Sequence, residues 1–346
     1  MTFEEVFNYD NLVESYRKCK KGVAWKGTVQ FYGNSLISNT KQTLKEIKKG
    51  TFKSGFFFRF SIMERGKVRE IKSVKINERV VQRCLCDYCL VPTLTKHFIY
   101  DNSACIKGKG MHFALKRLKH FLHNYYLKYG DNKGYILQFD FKKYFDSISH
   151  EKLIEMVNKL IADKDLQNLY ARLVNDFGGN YGLGLGSQIS QISALYYPHE
   201  IDDTFSNDKD IFAYARYMDD GYLISNSKEK LIECLYTLRK LCAKLEINLN
   251  EKKTTIFKMT TTMEFLKARI KMLKNGKIIV KPNRRNITRN RRKLKKLKEK
   301  FDKEEIYKES IRTIFRTTYG NFHNFNAYQS QQNYKIMFLK LFGNIL

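Results

Sequence analysis

Two apolar runs, Phe212-Ala-Tyr-Ala-Arg-Tyr217 and Gly221-Tyr-Leu-Ile-Ser225, are separated only by Met218-Asp219-Asp220. Both runs are rich in strand-forming residues, and so short a gap admits a tight turn and little else. The pattern predicts a hairpin with a pair of carboxylates at its tip. Like charges partly desolvated between apolar strands repel, and a cation beside them removes that cost. A further run, Gly134-Tyr-Ile-Leu-Gln-Phe-Asp140, reads as a buried strand that also ends in a carboxylate. Asp140, Asp219 and Asp220 would then share one sheet edge. Oxygen ligands suit Mg²⁺, and three carboxylates can hold two such ions. An isolated Asp-Asp pair is commonly a solvated turn, so the reading rests on the combination.

The remaining patterns alternate. Residues 82–90 read as a helix, and 150–176 carry long helical periodicity. Residues 178–186 form a glycine-rich loop that leads into an apolar helix over 189–197. Residues 228–245 read as an amphipathic helix, and 263–272 and 277–280 as strands. The order predicts an α+β fold, an antiparallel sheet backed by helices.

Charge narrows the partners. The chain of 346 residues has 64 Lys and Arg against 35 Asp and Glu, a formal net charge of +29. Such an excess attracts a polyanion, and nucleic acid fits better than an anionic membrane because no amphipathic or lipid anchor is evident. Residues 281–303 alone hold twelve Lys or Arg and two acids. Ile287, Leu294, Leu297 and Phe301 recur there at helical spacing. This predicts a helix docked by one apolar face, with Arg284, Arg285, Arg289, Arg291, Arg292 and Lys295 offered to phosphates. Apolar runs fall short of a membrane span, the first ten residues are acidic and lack a signal core, and seven cysteines show no paired spacing. These features predict a cytoplasmic protein. Cys84, Cys86 and Cys89 read as buried helix cysteines rather than a zinc site.

Several motifs resemble those of one family. Tyr217-Met218-Asp219-Asp220 looks like the YxDD box of reverse transcriptases, and Phe139 to Asp146 resembles their first catalytic motif. The loop-helix Gly182 to Gln191, the fingers segment Arg69 to Gln82, Asn250-Glu-Lys-Lys253-Thr254, and Phe265-Leu266 at the start of a primer grip follow in family order. They span roughly residues 50–275. The resemblance implies a right-hand polymerase fold. Residues 1–134 would be fingers with the first part of the palm, and 135–275 the palm, with about 150–180 packing towards the fingers. Residues 276–346 would form a short basic helical thumb. It implies an RNA-directed DNA polymerase that uses two Mg²⁺ ions and dNTPs, with an RNA template and a cDNA product.

Residue roles follow from the resemblance. Asp140 and Asp219 would bridge the metals, with Asp220 nearby and the Phe141 carbonyl as a further oxygen. Lys253 would protonate the leaving pyrophosphate. Arg69, helped by Lys67, would meet the triphosphate, because Arg donates to phosphate bidentately. Phe145 would exclude a 2′-hydroxyl. Gly186 would let the backbone approach the nucleotide. Many family members carry Pro-Gln-Gly where this chain has Gly184-Leu185-Gly186, and Leu185 cannot hydrogen-bond a sugar or base.

That departure is shared with diversity-generating retroelement enzymes and implies relaxed nucleotide selection. Other segments, Tyr100 to Gly110 and the 182–191 loop, look more like defence-associated and unknown-group bacterial enzymes. These imply an antiphage role with a noncoding RNA and an accessory protein or homo-oligomer. The rival readings are an RNA-dependent RNA polymerase and an inactive RNA-binding scaffold. Phe145 opposes the first, and the complete set of carboxylates opposes the second.

Overall fold

The computed structural model describes residues 1–64 and 66–344. Strands β1 (Phe57–Glu64) and β2 (Lys67–Val74) form an antiparallel hairpin. β3 (Tyr135–Asp140), β4 (Ala213–Tyr217), β5 (Asp220–Ser225) and β6 (Thr255–Lys258) form a sheet of order β4-β5-β3-β6. β7 (Met263–Phe265), β8 (Ala268–Met272) and β9 (Ile278–Pro282) form an antiparallel three-stranded sheet. The predicted α+β class holds. By its internal contacts the chain divides into two units. One comprises 1–105, 138–222 and 232–255, and the other 106–137, 223–231 and 256–346.

The predicted β4–β5 hairpin is present, with Met218 at φ 59° in its turn. Its packing explains Gly221. A Cβ there would lie 2.3 Å from the Phe139 ring, so only a glycine lets β5 lie against that side chain. The helix expected over 82–90 starts earlier, as Ile76–Leu85, and continues as a π-helical turn, Cys86–Leu90, into Val91–Leu94. Pro92 supplies the reason: it has no N–H for the turn behind it, and the chain widens there. Cys84, Cys86 and Cys89 are all buried along this stretch. The 150–176 region resolves into helices His150–Asn158 and Lys164–Asn175, capped at their N-termini by Ser149 and Asp163.

In the second unit, helix Met111–Tyr129 is closed by Gly130 at φ 73°, whose N–H donates to the Tyr126 carbonyl. Helices Arg284–Asp302, Lys308–Asn321 and Tyr328–Phe342 surround their own core of Leu294, Leu297, Ile311, Phe315, Tyr334 and Phe338. Phe315 lies parallel to Tyr334 at 5.6 Å and 4.1 Å from Phe338. Each buried ring of this kind contributes about 1.5–3 kcal/mol. The bundle is tied to β9 by Asn326, whose N–H donates to the Val280 carbonyl (2.6 Å) and whose side chain accepts from the Val280 N–H (2.9 Å).

The single strand expected over 263–272 is instead two, β7 and β8, joined by Leu266-Lys267 at φ 46° and 70°. Phe265 opposite Ala268 makes this a two-residue hairpin, whose backbone twist demands positive φ at both turn positions. Among the described residues, no helix is long and apolar enough to cross a membrane.

Candidate active site

β3 ends at Asp140, and the β4–β5 turn presents Asp219 and Asp220. The backbone brings them together: the Phe141 N–H donates to the Asp219 carbonyl at 3.0 Å. Asp140 is buried, and each of its carboxylate oxygens has a partner. Asn250 Nδ2 donates to Oδ1 at 2.8 Å, and Lys253 Nζ to Oδ2 at 2.6 Å. The Asn250 N–H also donates to the Asp140 carbonyl at 2.8 Å, so the turn bearing both residues is anchored to the strand end.

The electrostatics follow from burial. Desolvation and the Asp140 charge raise the Asp219 carboxyl above its ordinary value, with Lys253 and Arg69 opposing. Burial, then the charges of Asp219 and Asp140 and a hydrogen bond with Asp140, push Asp220 up to about 7. Burial works against the Lys253 ammonium, but Asp140, Asp220 and Asp219 outweigh it and hold its proton more firmly than usual. Among the described residues, no group of three or more His, Cys, Asp or Glu side chains is set as a metal cage. Asn250 and Lys253 take the oxygens of Asp140 instead. The donor set nevertheless fits a divalent cation. It offers carboxylate oxygens, and a cation would offset both causes that raise Asp219 and Asp220, first the burial of their charge and then the repulsion among the three acids.

The residues expected to face a nucleotide belong to the same unit. Arg69 stands in β2 opposite Ile62, and its charge acts on Asp219. The side chain of Lys67, opposite Glu64 in the same hairpin, lies outside the described residues. Phe145 is half-buried in the short helix Tyr144–Ser147, which is pinned by Tyr144 Oη donating to the Ala194 carbonyl at 2.6 Å. The Phe145 carbonyl accepts from the Leu183 N–H at 2.8 Å, and the Leu185 carbonyl from the Lys72 N–H at 3.2 Å. The 182–186 loop thus bridges Phe145 and β2. Its glycines have reasons within the protein. Gly186 is at φ 103°, with Ile71 Cγ2 3.1 Å from where a Cβ would stand, and a Cβ on Gly184 would meet the Phe177 ring at 2.6 Å.

The profile of the family described as reverse transcriptase (RNA-dependent DNA polymerase) matches residues 47–270. The chain belongs to this reverse transcriptase family. A solved apo telomerase from Candida tropicalis, truncated from its C-terminal domain, aligns with a TM-score of 0.50 and 16% identity, over 66% of this chain and 55% of that one. Telomerase from Candida albicans, in complex with a fragment of telomeric RNA, aligns with a TM-score of 0.48 and 12% identity, over 82% of this chain and 58% of that one. The chain spans less than two thirds of the length of either. The former likeness is one of fold, that of the right-hand polymerases. No curated protein matches the sequence.

Within this reverse transcriptase fold, the first unit gathers Asp140, Phe141, Asp219, Asp220, Lys253 and Arg69, with Phe145, Leu185 and Gly186 linked through the loop. Phe265, Leu266 and the basic residues predicted over 284–295 belong to the second unit. Phe265 is buried in β7 and Leu266 occupies the left-handed turn. Arg284, Arg285, Arg289, Arg291, Arg292 and Lys295 are all exposed on the helix Arg284–Asp302.

Sequence reasoning missed three supports. Asn250 was visible only as part of a motif. Arg216 and Asp202 were not singled out, yet Arg216 is fully buried. Its Nε and Nη2 reach Asp202 Oδ1 and Oδ2 at 2.7 and 2.6 Å, its Nη1 donates to the Met218 carbonyl at 2.7 Å, and Nη2 also donates to Leu195. This guanidinium fixes the turn that presents Asp219. The available signal was a charge inside an otherwise apolar strand, which burial permits only with a partner.

Proposed function

We propose that this chain is an RNA-directed DNA polymerase that adds dNTPs to a primer 3′-hydroxyl under the direction of an RNA template. The observation that carries the reading is the meeting of Asp140, Asp219, Asp220 and Lys253 at one strand end, within reach of the Arg69 charge. Asp140 and Asp219, with Asp220 and the Phe141 carbonyl, are the residues that would hold two Mg²⁺ ions. Those ions would activate the 3′-hydroxyl and stabilise the leaving pyrophosphate. Arg69, with Lys67, orients the triphosphate. Lys253, which keeps its proton, is the acid for the pyrophosphate oxygen. The Phe145 ring closes the space a 2′-hydroxyl needs.

In this reading residues 1–134 are fingers with the first part of the palm, 135–275 the palm, and 276–346 the thumb. The thumb helix begins with Arg284 and Arg285 and has no acid in its first turn. Cations there oppose the helix dipole, and a bound phosphate removes that cost. The Phe265-Leu266 turn serves as primer grip. We read the biological role as bacterial antiphage defence in the cytoplasm, with a noncoding RNA template and an accessory protein or a second copy. Leu185 favours one alternative, a low-fidelity diversity-generating enzyme.

The test is incorporation of labelled dNTPs or NTPs by the chain purified with its bound RNA in Mg²⁺, beside an Asp219→Ala/Asp220→Ala variant. Incorporation of dNTPs by the intact protein alone is expected, and the product sequence identifies the template. Incorporation of NTPs instead points to an RNA polymerase. Tight RNA binding without synthesis, with cognate RNA and neighbouring proteins supplied, points to a scaffold.

A further inference from the structure

Ser187 stands at the N-cap of the helix Gln188–Tyr196, directly after Gly186. A serine there ordinarily turns its hydroxyl to a free N–H of its own helix. Ser187 makes no such cap, and its Oγ lies 3.1 Å from Gln82 Oε1, across 105 positions. Both side chains are buried. Gln82 belongs to the helix Ile76–Leu85, as does Glu78 one turn earlier. Gln82 Nε2 donates to Glu78 Oε1 at 3.0 Å, and the Gly55 N–H donates to Glu78 Oε2 at 3.2 Å. A buried chain of hydrogen bonds thus runs from Ser187 through Gln82 and Glu78 to Gly55.

The chemistry fixes its direction. A carboxylate only accepts, so Gln82 must turn its NH₂ to Glu78 and its carbonyl oxygen to Ser187, which then donates. Burial pushes the Glu78 carboxyl up to about 7; the Gly55 N–H opposes this, the Asp176 charge adds to it, and the Gln82 amide opposes it. Above that pH Glu78 is an acceptor alone. Gly55 anchors the far end. It is at φ 84°, and a Cβ on it would stand 3.0 Å from the Asp176 carboxylate, so the missing side chain is what lets its N–H reach Glu78 there.

What the chain holds follows from the other ties of the 182–186 loop. His150 Nε2 lies 2.8 Å from the Gly182 carbonyl, the Leu183 N–H donates to Phe145, and the Leu185 carbonyl accepts from Lys72. These secure the loop as far as Leu185. Beyond it comes Gly186, whose own dihedral preferences restrain it least. On its other side stand the Ser187 hydroxyl bond and the first turn of the helix. Two apolar side chains would fill the Gln82–Ser187 contact without burying polar atoms, whereas a satisfied polar chain is directional and specifies one geometry.

We propose that Gln82 is a positioning residue: oriented by Glu78, it holds Ser187 and thereby sets the Leu185-Gly186 backbone against the incoming nucleotide. The inference rests on the polymerase reading for what that backbone meets, and on the hydrogen bonds for how it is held.

Two measurements on the full chain test it at about pH 8. One is single-nucleotide incorporation kinetics on a primed RNA template, and the other is hydrogen exchange of residues 182–191 by mass spectrometry. Ser187→Ala and Gln82→Met should each raise KM for the dNTP about fivefold, the size of one neutral hydrogen bond, with kcat held within about twofold. The double variant should be about as impaired as Gln82→Met alone, because both changes cut the same bond. Ser187→Thr keeps the hydroxyl, and Ser187 lines a cavity of about 280 Å³ with room for a methyl group, so this variant should behave as wild type. Exchange over 182–191 should quicken about fivefold in the Ala and Met variants and not in the Thr variant.

Wild-type KM and exchange in Ser187→Ala overturn the assignment. So do additive effects in the double variant, a Thr variant as impaired as the Ala variant, or a fall in kcat at constant KM. The polymerase reading fails separately, through absence of dNTP incorporation by the wild type. Exchange over 182–191 then decides alone whether Gln82 holds the loop.

Discussion

Arg216 and Asp202 meet as a two-point ion pair with both side chains sealed from solvent, 0% and 1% exposed. Tyr214 Oη adds a third bond, donating to Asp202 Oδ1 at 2.8 Å. Burial opposes the guanidinium charge, and the Asp202 carboxylate more than restores it. The pair stands directly behind the turn that presents Asp219.

Removing one partner strands the other. Arg216→Met leaves the Asp202 charge buried and should cost about 3–5 kcal/mol in urea unfolding. Arg216→Met/Asp202→Leu should recover much of that stability. It does not restore the donor to the Met218 carbonyl, so primer extension should stay low. An Arg216→Met protein as stable as the wild type would contradict the assignment.

Asp220 makes stability depend on pH in the absence of metal. Its folded value, about 7, lies above the 3.8 of an unperturbed aspartate. The folded state therefore holds a proton that the unfolded chain has already released. The stability this contributes is present below about pH 4 and is lost as pH rises through 7. Between pH 5 and 8 in EDTA, wild type should lose about 2–3 kcal/mol more than Asp220→Asn. Mg²⁺ at pH 8 should restore stability to wild type and less to the variant. Parallel stability profiles for the two proteins would show that Asp220 is not the group responsible.

Phe145 is the sugar discriminator in the proposed reaction. Its ring is tilted 78° against buried Tyr144 at 6.0 Å, so its position is set by packing. Phe145→Val should raise the efficiency of ribonucleotide incorporation relative to deoxynucleotide by about 10- to 200-fold. Competing single-nucleotide kinetics measure the ratio. If the ratio does not move, selection resides elsewhere.

Gly221 has no room for a methyl group beside Phe139. Gly221→Ala should destabilise the protein by about 1–3 kcal/mol through overpacking, and Phe139→Leu in the same chain should relieve part of it. Denaturant midpoints of the two single variants and the double variant close this cycle, and strict additivity would show that the two positions do not press on one another.

The hairpin and the β3 strand were legible because their signals are local: apolar runs with two acids between them, and another run ending in Asp140. The grouping of the three acids was inferable from those runs together with the family motifs. What holds them was not. Asn250 reaches Asp140 across 110 positions, and no short pattern encodes that pairing. Arg216 announced itself as a charge in an apolar strand, but its partner Asp202 lies in a different element. The turn at Leu266-Lys267 was read through as strand because neither residue is one that usually marks positive φ. The tie from Ser187 to Gln82 was equally hidden, since it joins positions 105 residues apart.

The same long separations bear on how the protein is made. β3 lies between β5 and β6 in its sheet, yet it is synthesised before either. Asp140 leaves the ribosome 113 residues ahead of Lys253. Until Ser225 is made, Ile136, Leu137 and Phe139 belong to a strand neither of whose neighbours exists, and until Lys258 is made one edge of it stays open; such non-local pairings form slowly and leave sticky edges. The nascent chain carries Asp140 early and acquires Asn250 and Lys253, which hold it, late, so a ribosome that stalls before residue 250 releases a fragment that can aggregate but cannot bring these three residues together.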